Sequence, residues 1–205
     1  MKDILIFTSN SVNEFQETRK FLREIEELIS QRAKAIERSS NATSNDYVFD
    51  KYNTHFPQKH RESVLISATG MFEFLCIKTT EAVSTHFSMK FTRRKKGKVE
   101  NAFDFYRKNF PDLYSQTSEE QHFITMCSRA RNIYAHNLGF ISVKDRPELY
   151  EFVVANELCH IESSGRLIVS SELVDSYLKF CSTWFMKLQS TLIQWDRGSQ
   201  DQCWH

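Results

Sequence analysis

Two residue types suited to acid–base and phosphate chemistry lie close together in the segment Ser128-Arg-Ala-Arg-Asn-Ile-Tyr-Ala-His-Asn-Leu-Gly139. Histidine exchanges protons near neutral pH, and arginine binds phosphate oxygens through a rigid set of donors. His136 and Arg131 therefore combine what RNA cleavage by the 2′-hydroxyl needs, a proton acceptor or donor and a cation beside the scissile phosphate. The same two residue types also occur on solvated helix ends that have no catalytic role.

The segment lies at the end of a predicted helix, for which Gly139 is a suitable stop. At about 100° per residue, the apolar side chains share one face, and Arg129, Asn132 and His136 lie on the opposite face. Arg131 is about 140° from His136 around an ideal helix, at the boundary between the two faces. Either the helix end is distorted, or the two residues act from different sides of a shared cleft.

The stretch Arg131-Asn-Ile-Tyr-Ala-His136-Asn-Leu-Gly139 resembles the signature of the HEPN superfamily, in which an Arg, a polar residue and, after a short spacer, a His lie at a helix end. The Asn-x-Gly that follows the His is similar to a continuation common in one branch of that superfamily. Phe72-Glu-Phe74 resembles the centre of the preceding helix in the same branch. The resemblance covers roughly Arg61 to Leu188.

This resemblance implies a compact helical bundle that forms a homodimer in which the two Arg/His motifs face each other. It implies a metal-independent endoribonuclease of a toxin–antitoxin or antiviral-defence system, with RNA as substrate and an antitoxin or companion defence protein as partner. Arg131 would polarise the phosphate, His136 would transfer protons, and Asn132 would orient these groups, with a 2′,3′-cyclic phosphate as product. No cofactor is expected. Some members of the family only bind or dimerise, so a non-catalytic interaction module is the alternative.

Further substrate contacts are predicted around the motif and in one basic run. Arg129 shares a face with His136, and Asn137 follows it directly. The only dense basic run, Lys90-Phe-Thr-Arg-Arg-Lys-Lys-Gly-Lys98, is predicted to be a loop between helices. A solvated connection is its simpler interpretation, and sequence-independent contact with RNA phosphates is the alternative. The residues concerned are Arg93, Arg94, Lys95 and Lys96.

The elements that position these residues are predicted to be helices. Only 5 Gly and 3 Pro occur, too few for the many tight turns of a sandwich or barrel. Amphipathic patterns predict helices over 12–38, 58–87 and 171–195, and Ser118-Glu-Glu-Gln121 resembles a capping box that opens the helix of the motif. Alternating residues around a Ser-Ser-Gly-Arg turn predict a small β-hairpin over 157–170. The predicted fold is all-α, a helical bundle with one hairpin.

Length and composition favour one globular domain over 1–205, with a helical extension over 1–56 that contains a polar loop at 39–47, and a core over 61–195. Lys plus Arg is 27 and Asp plus Glu is 26, so any attraction to nucleic acid is local. The 5 cysteines include no CxxC pair, and neither a signal peptide nor an apolar run of about 18 residues is found. These features predict a cytoplasmic protein without membrane contact.

Other chemistries have less support. The pairs His55 with His60 and Cys203 with His205 do not offer four ligands at zinc-like spacing, so no metal site is predicted. There is no phosphate-binding glycine loop and no GxSxG elbow. Glu73 either orients a partner of the motif or, more simply, is a satisfied semi-buried carboxylate.

Overall fold

A computed structural model describes residues 1–39, 46–142 and 147–201, and most of them are helical. In chain order the helices are α1 (Lys2–Ser39), α2 (Asp46–Asp50), a π-helical turn (Lys51–His55), α3 (Phe56–His86), α4 (Lys98–Asn109), α5 (Pro111–Asn137), α6 (Pro147–Ala155) and α7 (Ser171–Asp201). Strands β1 (Cys159–Ile161) and β2 (Leu167–Val169) form an antiparallel hairpin. The predicted all-α class with a small hairpin is confirmed, and most of the polar loop predicted at 39–47 lies outside the described residues.

Two predicted helix starts were wrong. α1 begins at Lys2 rather than near residue 12, and the Thr8 and Ser11 hydroxyls donate to the carbonyls of Ile4 and Phe7 at 3.0 and 2.9 Å. These internal hydrogen bonds accommodate polar side chains in a helical segment. α5 begins at Pro111, where the missing N–H costs nothing, so the predicted capping box at Ser118 lies inside the helix.

The described chain divides into two compact units, and α1, α3, α5 and α7 each contribute residues to both. Unit 1 comprises Met1–Gln16, Thr69–Thr125 and the chain from Tyr177 onward, and unit 2 comprises Glu17–Ala68 and Met126–Ser176. The Arg131–His136 motif belongs to unit 2, and the basic run belongs to unit 1. The division into an extension over 1–56 and a core over 61–195 stays a prediction.

Unit 1 has an aromatic core. Phe72 and Trp184 are fully buried, and their ring centroids are 5.6 Å apart in an edge-to-face contact. Tyr106 contacts Trp184 at 5.3 Å, and Phe15 and Phe185 are stacked at 6.1 Å. Edge-to-face and offset pairs of this kind add to the stabilisation from burying the rings, so this cluster holds α1, α3, α4 and α7 of the unit together.

In unit 2, ion pairs link α1 to α3 and α7. Nε of Arg61 donates to Glu26 at 2.6 Å, and Arg19 binds both carboxylate oxygens of Asp175 at 2.7 and 2.6 Å. Arg23 also pairs with Asp175, at 2.9 Å. These contacts fix the angular position of α1 in the unit, because a two-pronged guanidinium–carboxylate pair constrains orientation as well as distance.

α1 is amphipathic rather than uniformly apolar. On α1, Phe15 and Leu22 are fully buried, whereas Lys20 and Arg23 are exposed. Among the described helices, none is both long enough and apolar enough to span a bilayer.

Candidate functional site

The motif lies on a regular helix end. α5 is α-helical through Asn137, so no distortion turns Arg131 toward His136. Their separation of about 140° around the helix axis therefore stands. Of the two arrangements expected from the sequence, the distorted helix end is not found, and the two side chains of one chain leave the helix in different directions.

The motif residues differ in exposure. His136 and Asn137 are exposed, whereas Arg131 and Asn132 are half-buried, and the Nε atom of Arg131 is inside the protein. Ile133, which lies between Asn132 and His136 in the sequence, is only 1% exposed and anchors this turn of the helix in the core. The imidazole is therefore available to a molecule from outside, and the guanidinium lies at the border of the packed face.

Arg129 is half-buried and pairs with Glu148 in the first turn of α6, a helix that was not predicted from the sequence. The side chain of Glu148 is 71% exposed. A phosphate that binds Arg129, as the sequence predicts, would compete with this carboxylate for the guanidinium.

A tight turn ends α5. Leu138 and Gly139 have positive φ angles of 54° and 91°, and the N–H of Phe140 donates to the carbonyl of Asn137 at 2.9 Å. The N–H of Gly139 donates to the Ile133 carbonyl at 3.2 Å. The prediction that the helix stops at this glycine is confirmed within two residues.

The turn leads the chain directly onto the hairpin. Phe140 forms a β-bridge with Arg166, and the N–H of Leu167 donates to the carbonyl of Gly139 at 2.9 Å. Inside, the hydroxyl of Tyr134 donates to the carbonyl of Leu167 at 2.7 Å. Burial is the main cause that raises the pKa of Tyr134, so its hydroxyl remains a donor at physiological pH. The hairpin therefore holds the end of α5 in two ways, through backbone hydrogen bonds to the turn and through the buried hydroxyl of Tyr134.

A buried carboxylate connects the hairpin to α3. Glu62 is 8% exposed and accepts hydrogen bonds from Nη2 of Arg166 at 2.6 Å, Nζ of Lys59 at 2.9 Å and Nε2 of Gln58 at 3.0 Å. Sequence reasoning missed this group. The available signal was that Glu62 lies one helical turn before the fully buried Leu65, but nothing local indicates the partner, Arg166.

The remaining predicted contacts lie in unit 1. The residues from 87 to 97 form the expected loop between α3 and α4, and its basic side chains are exposed: Arg93, Arg94, Lys95 and Lys96. Glu73 is half-buried and accepts a hydrogen bond from Nζ of Lys98 at 2.5 Å, which matches the simpler of its two interpretations.

Groups for other chemistries are dispersed or buried. Among the described residues, no three His, Cys, Asp or Glu side chains converge on a point that could hold a metal ion. His55 is exposed and His60 is half-buried, with its pKa lowered mainly by burial, while Cys203 and His205 lie outside the described residues. Burial raises the pKa of the Cys127 thiol well above its usual value, so it is a poor nucleophile.

No protein-family model matches the chain, and no significant match is found among curated proteins or solved structures. The resemblance to the HEPN superfamily therefore stays a prediction, carried by the residues from Arg131 to Gly139 and by Phe72-Glu-Phe74.

Proposed function

We propose that the protein is a metal-independent endoribonuclease in which Arg131 and His136 are the catalytic residues. The observation that carries the proposal is a helix end that is held by the hairpin and presents an exposed imidazole five residues beyond a half-buried guanidinium. A catalytic group needs a fixed position and access to substrate, and this arrangement supplies both for His136.

The proposed reaction begins when an imidazole accepts the proton of a ribose 2′-hydroxyl, whose oxygen then bonds to the adjacent phosphorus. The bond from phosphorus to the 5′-oxygen breaks, and that oxygen takes up a proton, leaving a 2′,3′-cyclic phosphate and a 5′-hydroxyl. Arg131 neutralises the charge that gathers on the phosphate oxygens. Asn132 orients these groups, and Asn137 and Arg129 contact neighbouring parts of the RNA.

This chemistry favours a homodimer. Each site needs one arginine and one histidine, because a single imidazole can accept the proton of the 2′-hydroxyl and return it to the departing 5′-oxygen. Arg131 and His136 of one chain also diverge by about 140°, so two facing helix ends bring an arginine and a histidine together more readily than one. Exposed Leu138 and Phe140 beside the motif, at 77% and 48%, provide apolar surface for such a contact.

The test is incubation of purified protein with labelled RNA in EDTA, followed by analysis of the new RNA ends. We expect cleavage that leaves cyclic phosphate ends and falls at least about a hundredfold in His136→Ala and in Arg131→Ala. The matched control is His160→Ala, which removes another exposed histidine of the same unit and should cleave normally. Equal cleavage by His136→Ala, or intact RNA at high concentrations of wild-type protein, would contradict the proposal.

The second candidate is a non-catalytic module of the same family type, which binds a partner protein. The exposed apolar residues at the helix end favour it as much as they favour dimerisation, because either kind of contact would cover Leu138 and Phe140. The two candidates differ at His136, since its replacement by Ala abolishes cleavage under the first and leaves partner binding intact under the second.

As an active enzyme, the protein would serve in the cytoplasm as a toxin or antiviral effector, controlled by an antitoxin or companion protein.

A further inference from the structure

Positive charge is concentrated in one part of unit 1. Residues 90–108 contain eight Lys or Arg and two Asp or Glu, whereas the rest of the chain contains nineteen and twenty-four. The nearly neutral total of +1 therefore conceals a local excess of positive charge and a negative remainder. A local excess of this kind attracts polyanions even when the whole protein does not.

The exposed cations of this segment form what we call the basic surface: Lys90, Arg93, Arg94, Lys95, Lys96, Arg107 and Lys108. Its loop is held in place by groups beneath it. The backbone N–H of Arg94 donates to Oδ1 of the buried Asn101 at 3.0 Å, and the ring of Phe91 lies 5.5 Å from that of Phe105. A positioned loop loses little conformational freedom when its side chains bind a ligand.

A cavity of about 270 Å³ opens within the basic surface. Three of its lining residues are the cations Lys90, Arg94 and Lys108, and Asn109 adds an amide. Asp104 also lines the cavity and pairs with Arg94 at 3.4 Å and with Arg107. A bound phosphate would share these cations with Asp104, which limits the strength of each contact and suits reversible binding along a strand.

We infer that the basic surface binds the phosphodiester backbone of single-stranded RNA without reading its sequence. The inference rests on the proposed function only in choosing RNA among polyanions. The half-buried ring of Phe91 in the cavity wall favours a single strand, because an unpaired base can stack on it and a paired base cannot. Residues 92–97 expose no large apolar side chain, which disfavours insertion into a membrane surface.

The experiment measures binding of a short labelled single-stranded RNA by fluorescence anisotropy, over a range of salt concentrations and in EDTA. All proteins are full-length and carry His136→Ala, so that the RNA is not consumed. The test variant is Lys95→Glu with Lys96→Glu, because these side chains are exposed and form no ion pair within the described residues. The matched control is Arg32→Glu with Lys34→Glu on the exposed face of α1, which changes the net charge by the same amount.

We expect the test variant to bind RNA about tenfold more weakly, and its salt dependence to fall by about 0.7 in log–log slope for each phosphate that the protein no longer neutralises. The control should bind as the parent does, and duplex RNA should bind less tightly than the single strand. Equal weakening in both variants would overturn the inference, because the effect would then follow net charge alone. Binding to vesicles that contain phosphatidylserine, without binding to RNA, would overturn it as well.

The outcome is separable from that of the nuclease test. If the wild-type protein cleaves RNA and the test variant binds RNA as tightly as its parent, the basic surface is refuted and the nuclease stands. If the surface binds RNA but the wild-type protein does not cleave it, the nuclease is refuted and the surface stands.

Discussion

At the scale of single residues, the end of α5 depends on two residues that do no chemistry. Tyr134 donates its hydroxyl to the hairpin, and Gly139 lets the chain turn directly above the tyrosine ring. A Cβ atom on Gly139 would lie 3.1 Å from the ring of Tyr134 and 3.3 Å from Cγ of Arg166. The absence of a side chain at 139 therefore decides how closely the hairpin approaches the motif.

Gly139→Ala should lower the free energy of unfolding by roughly 2–3 kcal/mol, because alanine is strained at a φ of 91° and its Cβ is crowded. Gly165→Ala is the matched control, since Gly165 has a φ of 82° and no atom within 4 Å of the added Cβ. Gly165→Ala should lower the free energy of unfolding only by the cost of the positive φ angle, about 1 kcal/mol. Urea denaturation of both variants measures the difference, and equal losses would show that crowding contributes nothing.

At the scale of elements, the Glu62–Arg166 pair joins α3 to the hairpin and, through the hairpin, to the end of α5. Arg166→Met should destabilise the protein by about 2–3 kcal/mol, because it leaves a buried carboxylate with fewer partners. The loss is not larger because the side chain of Arg166 is itself 25% exposed. Glu62→Gln combined with Arg166→Met should cost less than the sum of the two single changes. Strict additivity in this double-mutant cycle, followed by chemical denaturation, would mean that the pair does not couple the two elements.

The pair of Arg19 with Asp175 ties α1 to α7 in unit 2 and makes that junction sensitive to acid. The hydrogen bonds from Arg19 lower the pKa of Asp175 below its unfolded value of about 3.9. A lowered folded pKa stabilises the protein above the unfolded pKa, and this contribution disappears as the pH falls through the folded pKa.

Asp175→Asn should therefore be less stable than the wild-type protein near pH 6, by on the order of 1 kcal/mol because the pair is partly solvated. The difference should shrink as the pH falls below about 4. Urea denaturation at several pH values checks this, with Asp112→Asn as a control at an exposed carboxylate in the first turn of α5. A difference that is independent of pH would contradict an ionic origin.

At the scale of the whole molecule, the proposed nuclease needs two chains to complete a site. Mixing Arg131→Ala protein with His136→Ala protein should then restore activity, because a mixed dimer can combine the intact arginine of one chain with the intact histidine of the other. Random exchange should recover up to about a quarter of the wild-type rate, since half of the dimers are mixed and each has one complete site. No recovery under conditions that exchange subunits would argue against a site shared in this way.

Much of the fold follows from local patterns in the chain. The central and last helices, the hairpin, the loop that carries the basic run and the stop at Gly139 were predicted because each depends on spacing or turn chemistry within a short segment. The predicted starts of α1 and α5 were wrong. Thr8, Ser11 and Ser118 are of residue types that favour helix ends, but tertiary packing overrides this local preference and all three lie inside a helix. α6 was missed, although Pro147 at its first position is a common helix start.

The sequence by itself determined that an arginine and a histidine lie about 140° apart near the end of a helix that stops at a glycine. Only the tertiary structure decided that His136 is exposed, that Arg129 faces Glu148, and that Glu62 is buried against Arg166, which lies 104 residues away. The physical reason is that helical periodicity is set by neighbouring residues, whereas burial of a charge is tolerated only where a distant part of the chain supplies its partner.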